Sequence, residues 1–277
     1  MSKYKAVFSD LDGTLLDEEG KVRPSARAVV AQLRARGIAF FVSTGRSVCA
    51  ALGAVGDLGL DTPFICYNGA VVYDPRSGAW LRHETINDRV TAELLDVAEA
   101  HALFYLVFHE DTKLTLPPRF DYQSEFYGRL ENLRHVSRFE DLPRRGITKF
   151  SIYTKEDEGD QVLLDHLENT SDDHYVERFW LNTIPGFRDF AFRTTDVHAR
   201  AGGKGAGLRF VMQRYGIDRT ETIAIGDHMN DLSMLEEAGL AVAVGNSLPL
   251  LTAAADHVIP HANGDGVARF LSETFDL

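Results

Sequence analysis

Two aspartates stand one residue apart near the start of the chain, directly after the apolar run Ala6-Val7-Phe8. The segment reads KYKAVFSDLDGTLL, so Asp10 and Asp12 fall at the end of a predicted buried strand, where like charges repel and desolvation of a carboxylate is costly. They could be two surface residues of a turn, since Asp-Gly is a common turn pair, or a metal-assisted nucleophile pair. An EF-hand calcium loop is excluded, because Gly13 is the fourth and not the sixth residue of such a loop and Lys21 replaces its glutamate.

Three further segments carry polar groups where a strand is predicted to end or a helix to begin. In STGR, the Thr44 hydroxyl and the backbone amides that follow could hold a phosphate oxygen. In GGKGAG, residues 202–207, Lys204 could meet an anion at a helix start, although the spacing fits neither a Walker A loop nor a dinucleotide-binding loop. In GDHMND, Asp227 and Asp231 are four residues apart, so one helical turn would put both acids on one face. Each segment alone also has an ordinary structural interpretation.

The four segments are more informative together than separately. They supply carboxylates, an ammonium group and a hydroxyl, from Asp10, Asp12, Thr44, Lys204, Asp227 and Asp231. So many acids at one place require a cation, and oxygen ligands of this kind favour Mg²⁺. The sequence therefore predicts metal-assisted phosphoryl transfer, in which a cation and a lysine offset the charge of the aspartates.

The first and last thirds of the chain alternate strand-like and helix-like segments. YKAVFSD, IAFFVSTGR and PFICYNGA are predicted strands, and RPSARAVVAQLRARG is a predicted helix with Pro24 near its first turn. The same rhythm returns in GGKGAGLRFVMQRYG, ETIAIGDHMND and LAVAVGN. This order predicts a parallel sheet with crossover helices, and ligands of such sheets bind outside the carboxyl ends of the strands. The candidate residues fall at those ends.

The middle of the chain has a different, mixed α+β pattern. Strands are predicted over LFYLVFHEDTKLTLP, KFSIYTKE, HYVERFWLNTIP and FRDFAFRTT, and helices over VTAELLDVAEAHA and GDQVLLDHLENT. We therefore expect a separate small domain at 85–197 that interrupts a core formed by 1–84 and 198–277.

Composition bounds the remaining possibilities. The 277 residues are 44% hydrophobic and 25% charged, as in an ordinary globular protein, with no apolar stretch long enough for a bilayer. A net charge of −12 argues against nucleic acid as the main partner. No signal peptide is recognised, and the two cysteines, Cys49 and Cys66, form no metal-binding pattern. We expect a cytoplasmic protein that has no membrane partner and is a monomer or a homodimer.

DLDGTLL, STGR, GGKG and GDHMND stand in the order found in the haloacid dehalogenase-like hydrolase superfamily, which the chain resembles along essentially its whole length. With CYNGA, AVAVGNS and NGDGVARFL it is similar to the Cof-type, subfamily IIB sugar-phosphate phosphatases. The match is strong in these core motifs and weak in the insert. The resemblance implies an α/β fold, with a Rossmann-like core whose parallel sheet has helices on both faces. It also implies an inserted α+β cap of the C2 type that closes over the site and selects the leaving group.

The resemblance also implies roles for the candidate residues. Asp10 would form an aspartyl-phosphate, Asp12 would protonate the leaving alcohol and then activate water, and Lys204 would neutralise phosphate charge. Phosphate or substrate contacts are expected from Leu11, Thr44, Gly45, Arg46, Asn68, Lys204 and Asn230. Mg²⁺ is expected on Asp10, Asp227 and the Asp12 carbonyl, with Asp231 acting through a metal-bound water or through Lys204.

Some features depart from the family pattern or do not reveal the substrate. His228 stands where many relatives carry a small or acidic residue, and we expect it to point to the cap or to solvent. In the insert, Trp180, Asn182 and Arg188 could contact a leaving group, although Trp180 could equally belong to the core of that domain. The predicted activity is hydrolysis of a small phosphorylated metabolite. A phosphomutase and a non-catalytic metabolite-binding regulator are the alternatives.

Overall fold

We describe the protein from a computed structural model that covers residues 3–155, 161–168, 173–184, 186–261 and 265–277. The strands in these ranges are β1 (Ala6–Ser9), β2 (Ala39–Ser43), β3 (Phe64–Cys66), β4 (Val71–Asp74), β5 (Ala79–His83), β6 (Phe104–His109), β7 (Thr112–Thr115), β8 (Leu133–His135), β9 (Ile147–Thr154), β10 (His174–Trp180), β11 (Arg193–Ala199), β12 (Thr222–Gly226), β13 (Leu240–Val244) and β14 (His257–Ile259). The α-helices are α1 (Pro24–Ala35), α2 (Val48–Val55), α3 (Asp88–Ala100), α4 (Asp121–Tyr127), α5 (Gln161–Glu168), α6 (Lys204–Tyr215), α7 (Leu232–Glu237), α8 (Pro249–Ala254) and α9 (Gly266–Phe275).

The chain divides into two compact units. The core unit consists of Met1–His83 together with Gly202–Leu277, and the inserted unit consists of Glu84–Ala201. Strand β11 continues to Ala199, so the inserted unit extends beyond residue 197, the boundary expected from the sequence. None of the helices in the described ranges is long and apolar enough to cross a membrane.

The core unit is built on one sheet with the strand order β14-β13-β12-β1-β2-β3-β4-β5. The strands from β14 to β3 pair in parallel, whereas β3–β4 and β4–β5 pair antiparallel. Ser9, the last residue of β1, lies opposite Val42 of β2 and Ile225 of β12. The carboxyl ends of these three strands therefore meet at one edge of the sheet.

Apolar residues bury both faces of this sheet. Phe8 and Phe41 stack with ring centroids 4.7 Å apart and pack in one cluster with residues of α6 and α7 such as Leu208 and Met234. Val7 alternates to the opposite face and is also fully buried, as expected where helices cover both sides of a parallel sheet. Each fully buried phenylalanine stabilises the fold by about 1.5–3 kcal/mol. The predicted α/β core with a parallel sheet is confirmed.

Helix α1 shows how local sequence sets these elements. Pro24 occupies the first turn, where a missing N–H costs nothing. Ala26, Val29, Val30 and Leu33 recur at helical spacing and are buried, and the chain leaves the helix through Gly37 at φ +77°.

The inserted unit has its own sheet and its own core. Its strand order is β10-β11-β9-β6-β7-β8, with antiparallel pairs except for the parallel pair β7–β8. One buried cluster joins this sheet to helices α3 and α5, through residues such as Leu94, Phe150, Leu163 and Val197. The first two and last two residues of the predicted helix GDQVLLDHLENT lie outside the described residues, as does Pro185 at the end of the predicted strand HYVERFWLNTIP.

The predicted strand FRDFAFRTT is wrong over most of its length. Strand β11 begins only at Arg193, and residues 187–192 form a loop. In that loop Phe190 and Phe192 are buried in an aromatic cluster around Phe126 of α4. Aromatic residues are enriched in strands because they pack well on half-buried surfaces. Here a loop provides the same packing without forming the backbone hydrogen bonds of a strand.

Candidate active site

The candidate residues follow neighbouring strands of the core unit. Asp10 follows β1, Thr44 follows β2 and Asp227 follows β12. Because these strands are parallel and in register, their carboxyl ends deliver the three side chains to one edge of the sheet.

The turn Leu11–Leu15 brings the chain back against Asp227. It is a single wide helical turn broken at Asp12 and at Gly13, whose φ is +78°. A Cβ atom at Gly13 would overlap Oδ2 of Asp227, so only glycine permits both this backbone conformation and this approach. The next residue, Thr14, donates from its hydroxyl to Asp227 Oδ1 at 3.3 Å.

Lys204 lies between two buried carboxylates. Its Nζ donates to Oδ1 of Asp10 at 2.6 Å and to Oδ1 of Asp231 at 2.5 Å. The lysine is 1% exposed, Asp10 is 5% exposed and Asp231 is fully buried. Burial opposes the charge of Lys204, but the attraction of the two carboxylates outweighs it and raises the pKa of the ammonium group.

Asp231 uses both of its oxygens within the protein. Oδ1 accepts from Lys204, and Oδ2 accepts from the backbone amides of Asp227 and His228 at 2.9 and 3.0 Å. Asp231 therefore fixes the loop that carries Asp227 and also orients Lys204. His228 itself is exposed.

Burial and mutual repulsion disfavour charge on the remaining acids. Burial raises the pKa of Asp10 well above its usual range, against the opposing attraction of Lys204. Burial, followed by repulsion from Asp231, raises the pKa of Asp227 to about 7. Such carboxylates need a cation beside them to be ionised together.

The donor set of the site fits a hard divalent cation. Asp10, Asp227 and Asp231 each offer a carboxylate oxygen, and these oxygens lie within 4.8 Å of one another. Oxygen ligands of this kind suit Mg²⁺. Since Asp231 is already committed to Lys204 and two amides, Asp10 and Asp227 are the acids better placed to bind the ion directly.

The Asp12 side chain forms an ion pair with Arg46. Its Oδ2 accepts from Arg46 Nε at 2.8 Å and its Oδ1 accepts from Arg46 Nη2 at 2.6 Å. Its side chain does not belong to the carboxylate cluster found among the described residues. The metal contact expected of Asp12 is through its carbonyl, and this ion pair leaves that expectation untouched.

Asn68 and Asn230 form the side of the site next to Thr44. Asn230 Nδ2 donates to Asn68 Oδ1 at 3.1 Å. The backbone amide of Asn68 donates to the backbone carbonyl of Thr44 at 3.0 Å. Tyr67, Asn68 and Gly69 all have positive φ. Left-handed backbone at consecutive residues other than glycine stores strain, which is common at functional sites.

All the core residues singled out from the sequence lie at this sheet edge, in the segments that follow β1, β2, β3 and β12 or at the start of α6. They are Asp10, Leu11, Asp12, Thr44, Gly45, Arg46, Asn68, Lys204, Asp227, Asn230 and Asp231.

Trp180, Asn182 and Arg188 belong to the inserted unit. There Trp180 is 39% exposed beneath the Arg193 guanidinium, 4.6 Å from its ring centroid, and is not part of the core of that unit.

Two polar residues of the site were missed by sequence reasoning. Thr14 contacts Asp227 as described, and Asn246 donates from Nδ2 to the Gly13 carbonyl at 2.8 Å and to Asp227 Oδ2 at 3.4 Å. Both lie in motifs named above, DLDGTLL and AVAVGNS, and Asn246 follows the carboxyl end of β13. The position of Asn246 after a strand of the parallel sheet is the signal that could have identified it.

A family model described as haloacid dehalogenase-like hydrolase matches residues 7–271. The chain belongs to this family. The resemblance inferred from the motifs is therefore confirmed, and the protein is a haloacid dehalogenase-like (HAD) hydrolase of the Cof type. HAD enzymes typically use a divalent metal, with which the carboxylate cluster is compatible.

Several phosphatases are similar to the chain over nearly its whole length. It is 28% identical over 281 residues to the 5-amino-6-(5-phospho-D-ribitylamino)uracil phosphatase YitU of Bacillus subtilis strain 168, covering 100% of this chain and 99% of that protein. It is 26% identical over 283 residues to the pyridoxal phosphate phosphatase YbhA of Escherichia coli K12, covering 96% and 97%. The solved structure of a HAD subclass IIB sugar phosphatase superposes with a TM-score of 0.78 at 25% identity, covering 97% of this chain and 98% of that one.

Proposed function

We propose that this HAD hydrolase is a Mg²⁺-dependent phosphatase of small phosphorylated metabolites, with sugar phosphates as its substrate class. The observation that carries the proposal is the buried carboxylate of Asp10, held 2.6 Å from Lys204 beside Asp227 at the carboxyl edge of the sheet. A buried acid paired with a lysine and facing a cation site is suited to nucleophilic attack on phosphorus.

Asp10 is the proposed nucleophile. Lys204 holds one of its oxygens, which leaves the other free to bond to phosphorus and form an aspartyl-phosphate. Attack by a carboxylate on a phosphate dianion is opposed by repulsion, and Lys204 offsets part of that charge. The metal ion, when bound by Asp10 and Asp227, supplies further neutralisation of phosphate charge.

Other side chains orient the phosphoryl group and move protons. The Thr44 hydroxyl accepts from the Arg46 amide at 3.1 Å, so its own proton can be directed to a phosphate oxygen. Asn68 and Asn230 add amide groups at the same side of the site. Asp12 is the proposed general acid for the leaving alcohol and the base that takes a proton from water in the second step.

The inserted unit is the proposed C2-type cap that selects the leaving group. Its insertion between STGR and GGKG supports this assignment, as does the similarity to a subclass IIB sugar phosphatase. YitU is named for a substrate that carries a phosphorylated ribityl chain, which supports a sugar-like leaving group here. We propose a cytoplasmic location, since Cys49 and Cys66 are not joined in a disulfide.

The test is phosphate release from a panel of phosphorylated sugars, polyols, nucleotides and pyridoxal phosphate, with Mg²⁺ and with a chelator. We expect release that requires both Mg²⁺ and Asp10, so that Asp10→Asn is inactive. The control is Asp61→Asn, which changes an aspartate before β3, at the opposite end of the strand from the site. Absence of release by folded, metal-loaded protein would contradict the proposal and favour a phosphomutase or a binding protein.

A further inference from the structure

The Arg46 guanidinium donates two hydrogen bonds to the Asp12 carboxylate. Nε lies 2.8 Å from Oδ2 and Nη2 lies 2.6 Å from Oδ1, so the planar guanidinium faces both oxygens at once. Such a fork fixes the direction of a carboxylate as well as its position, which a lysine ammonium cannot do.

The backbone of Arg46 is itself anchored to the phosphate side of the site. Its amide donates to the Thr44 hydroxyl at 3.1 Å, and its carbonyl accepts from the Tyr67 amide at 2.9 Å. Tyr67 opens the strained turn that carries Asn68. Arg46 therefore links Asp12, which follows β1, to the groups that follow β2 and β3.

The pair is only partly buried. The Arg46 and Asp12 side chains are 23% and 28% exposed, whereas the Lys204–Asp10 pair beside them is almost completely buried. Ion pairs that reach solvent contribute little to stability. The precise two-nitrogen geometry is thus better explained by the orientation of Asp12 than by a need to hold the fold together.

We propose that Arg46 is a positioning residue for proton transfer by Asp12, an inference that rests on the proposed phosphatase function. In the first step the Asp10 oxygen bonds to phosphorus, the phosphorus–oxygen bond of the ester breaks, and the Asp12 carboxyl proton passes to the leaving oxygen. In the second step water bonds to phosphorus, its proton passes to Asp12, and the bond to Asp10 breaks. Arg46 contacts both Asp12 oxygens through one lone pair each, and the second lone pair of one oxygen carries the proton in each step.

This role predicts a loss that depends on the leaving group. An alkoxide leaves only when it is protonated, whereas nitrophenolate is a weak base and leaves without an acid. We would measure the single-turnover rate of Asp10 phosphorylation with glycerol phosphate, or with the alkyl phosphate that the panel ranks first, and with para-nitrophenyl phosphate. For Arg46→Gln we expect the rate with the alkyl phosphate to fall by a factor about ten times larger, or more, than the factor for the nitrophenyl ester. A difference of this size lies within the range that general acids provide.

Two further variants separate positioning from charge and from fold. Arg46→Lys keeps the charge without the fork, so it should show a smaller loss with the same dependence on the leaving group. In an Asp12→Asn background, Arg46→Gln should add little further loss with the alkyl phosphate, because residues that act through one another are not additive. The control is Arg138→Gln, which removes a similar two-nitrogen pair with Asp141 on the surface of the inserted unit and should leave both rates unchanged.

The possible outcomes are distinct. Equal losses with both esters, or full additivity with Asp12→Asn, would overturn the inference and assign Arg46 to the phosphoryl group itself. Unchanged rates in Arg46→Gln would also overturn it. A wild-type protein that turns over no phosphate ester would contradict the proposed function, and with it this inference.

Discussion

Lys204 Nζ lies 2.6 Å from Oδ1 of Asp10, although 194 positions separate the two residues in the chain. The same nitrogen contacts Asp231, so one ammonium group compensates two buried carboxylates. Removal of one partner from a buried ion pair leaves an uncompensated charge, which costs far more than the pair contributes. This arrangement makes the site sensitive to the loss of a single amine.

Lys204→Met should destabilise the protein as well as inactivate it. Two carboxylates lose their cation in a buried environment, and we expect the free energy of unfolding to fall by about 3–5 kcal/mol. Urea denaturation in the presence of a chelator measures this loss. The control is Lys21→Met, which removes an exposed lysine paired with Glu19 and should leave the midpoint essentially unchanged. Equal midpoints for wild type and Lys204→Met would contradict the compensation argument.

Metal binding should strengthen as the pH rises through 7. The pKa of Asp227 is raised to about 7 in the folded protein, above its ordinary value of 3.8, because of burial and then repulsion from Asp231. Below about pH 7 a proton therefore competes with the cation for this oxygen. We expect Mg²⁺ to bind more weakly at about pH 5.5 than at about pH 8, measured by titration calorimetry.

The same shift gives a stability signature without metal. Asp227 has a higher pKa folded than unfolded, so the folded state binds the extra proton and the metal-free protein loses stability as the pH rises from about 4 to about 7. Asp227→Asn should remove this part of the pH dependence. An unchanged profile in Asp227→Asn would assign it to other groups.

Gly13→Ala should disrupt the active site in addition to straining the backbone. Gly13 and Gly37 have nearly equal positive φ, +78° and +77°, so alanine at either position is strained by about 1–2 kcal/mol. Only at Gly13 would the new methyl group overlap the Asp227 carboxylate, whereas nothing lies within 4 Å at Gly37. We expect phosphatase activity and Mg²⁺ affinity to fall in Gly13→Ala and to persist in Gly37→Ala. Equal activity in the two variants would refute the steric argument.

His198 should make the inserted unit sensitive to acid. It is fully buried on β11, its ring nitrogens have no hydrogen-bond partner among the described residues, and its ring stacks on Tyr175. Burial lowers the pKa of His198 to about 3, Asp196 favours the charged ring and Lys149 disfavours it. Glu177 also faces the ring, with Oε2 3.6 Å from Nε2. Below about pH 6.5 the unfolded chain binds a proton that the folded one does not, so stability falls by up to about 1.4 kcal/mol per pH unit.

His198→Phe should remove this acid sensitivity, because phenylalanine keeps the stack on Tyr175 without a titrating nitrogen. The measurement is the urea midpoint between about pH 7 and about pH 5. The control is His257→Phe, an exposed histidine of β14 that stacks on Phe270 and should keep the wild-type pH dependence. The same acid loss in His198→Phe as in wild type would place its origin elsewhere.

Much of the site could be predicted because parallel strands end at a common edge. Asp10, Thr44 and Asp227 each follow a short apolar run, and period, polarity and order along the chain were enough to group them. Helix α1 was predictable for a similar reason, since its apolar spacing and its proline are local features. The antiparallel hairpin β4–β5 and the loop before β11 were not predicted, because their residues satisfy more than one local pattern.

Local sequence patterns are enough to identify which chemical groups reach the edge of the sheet, because the carboxylates, the lysine and the hydroxyl stand at the ends of strands and helices that these patterns predict. Which partner each of these groups contacts depends on how the strands and helices pack together. Asp231 is committed to Lys204 and to two amides, Asp12 is turned to Arg46, and Asn246 reaches Asp227. These partners come from different strands and helices, and a contact of about 3 Å depends on the packing of whole elements, which no local pattern encodes.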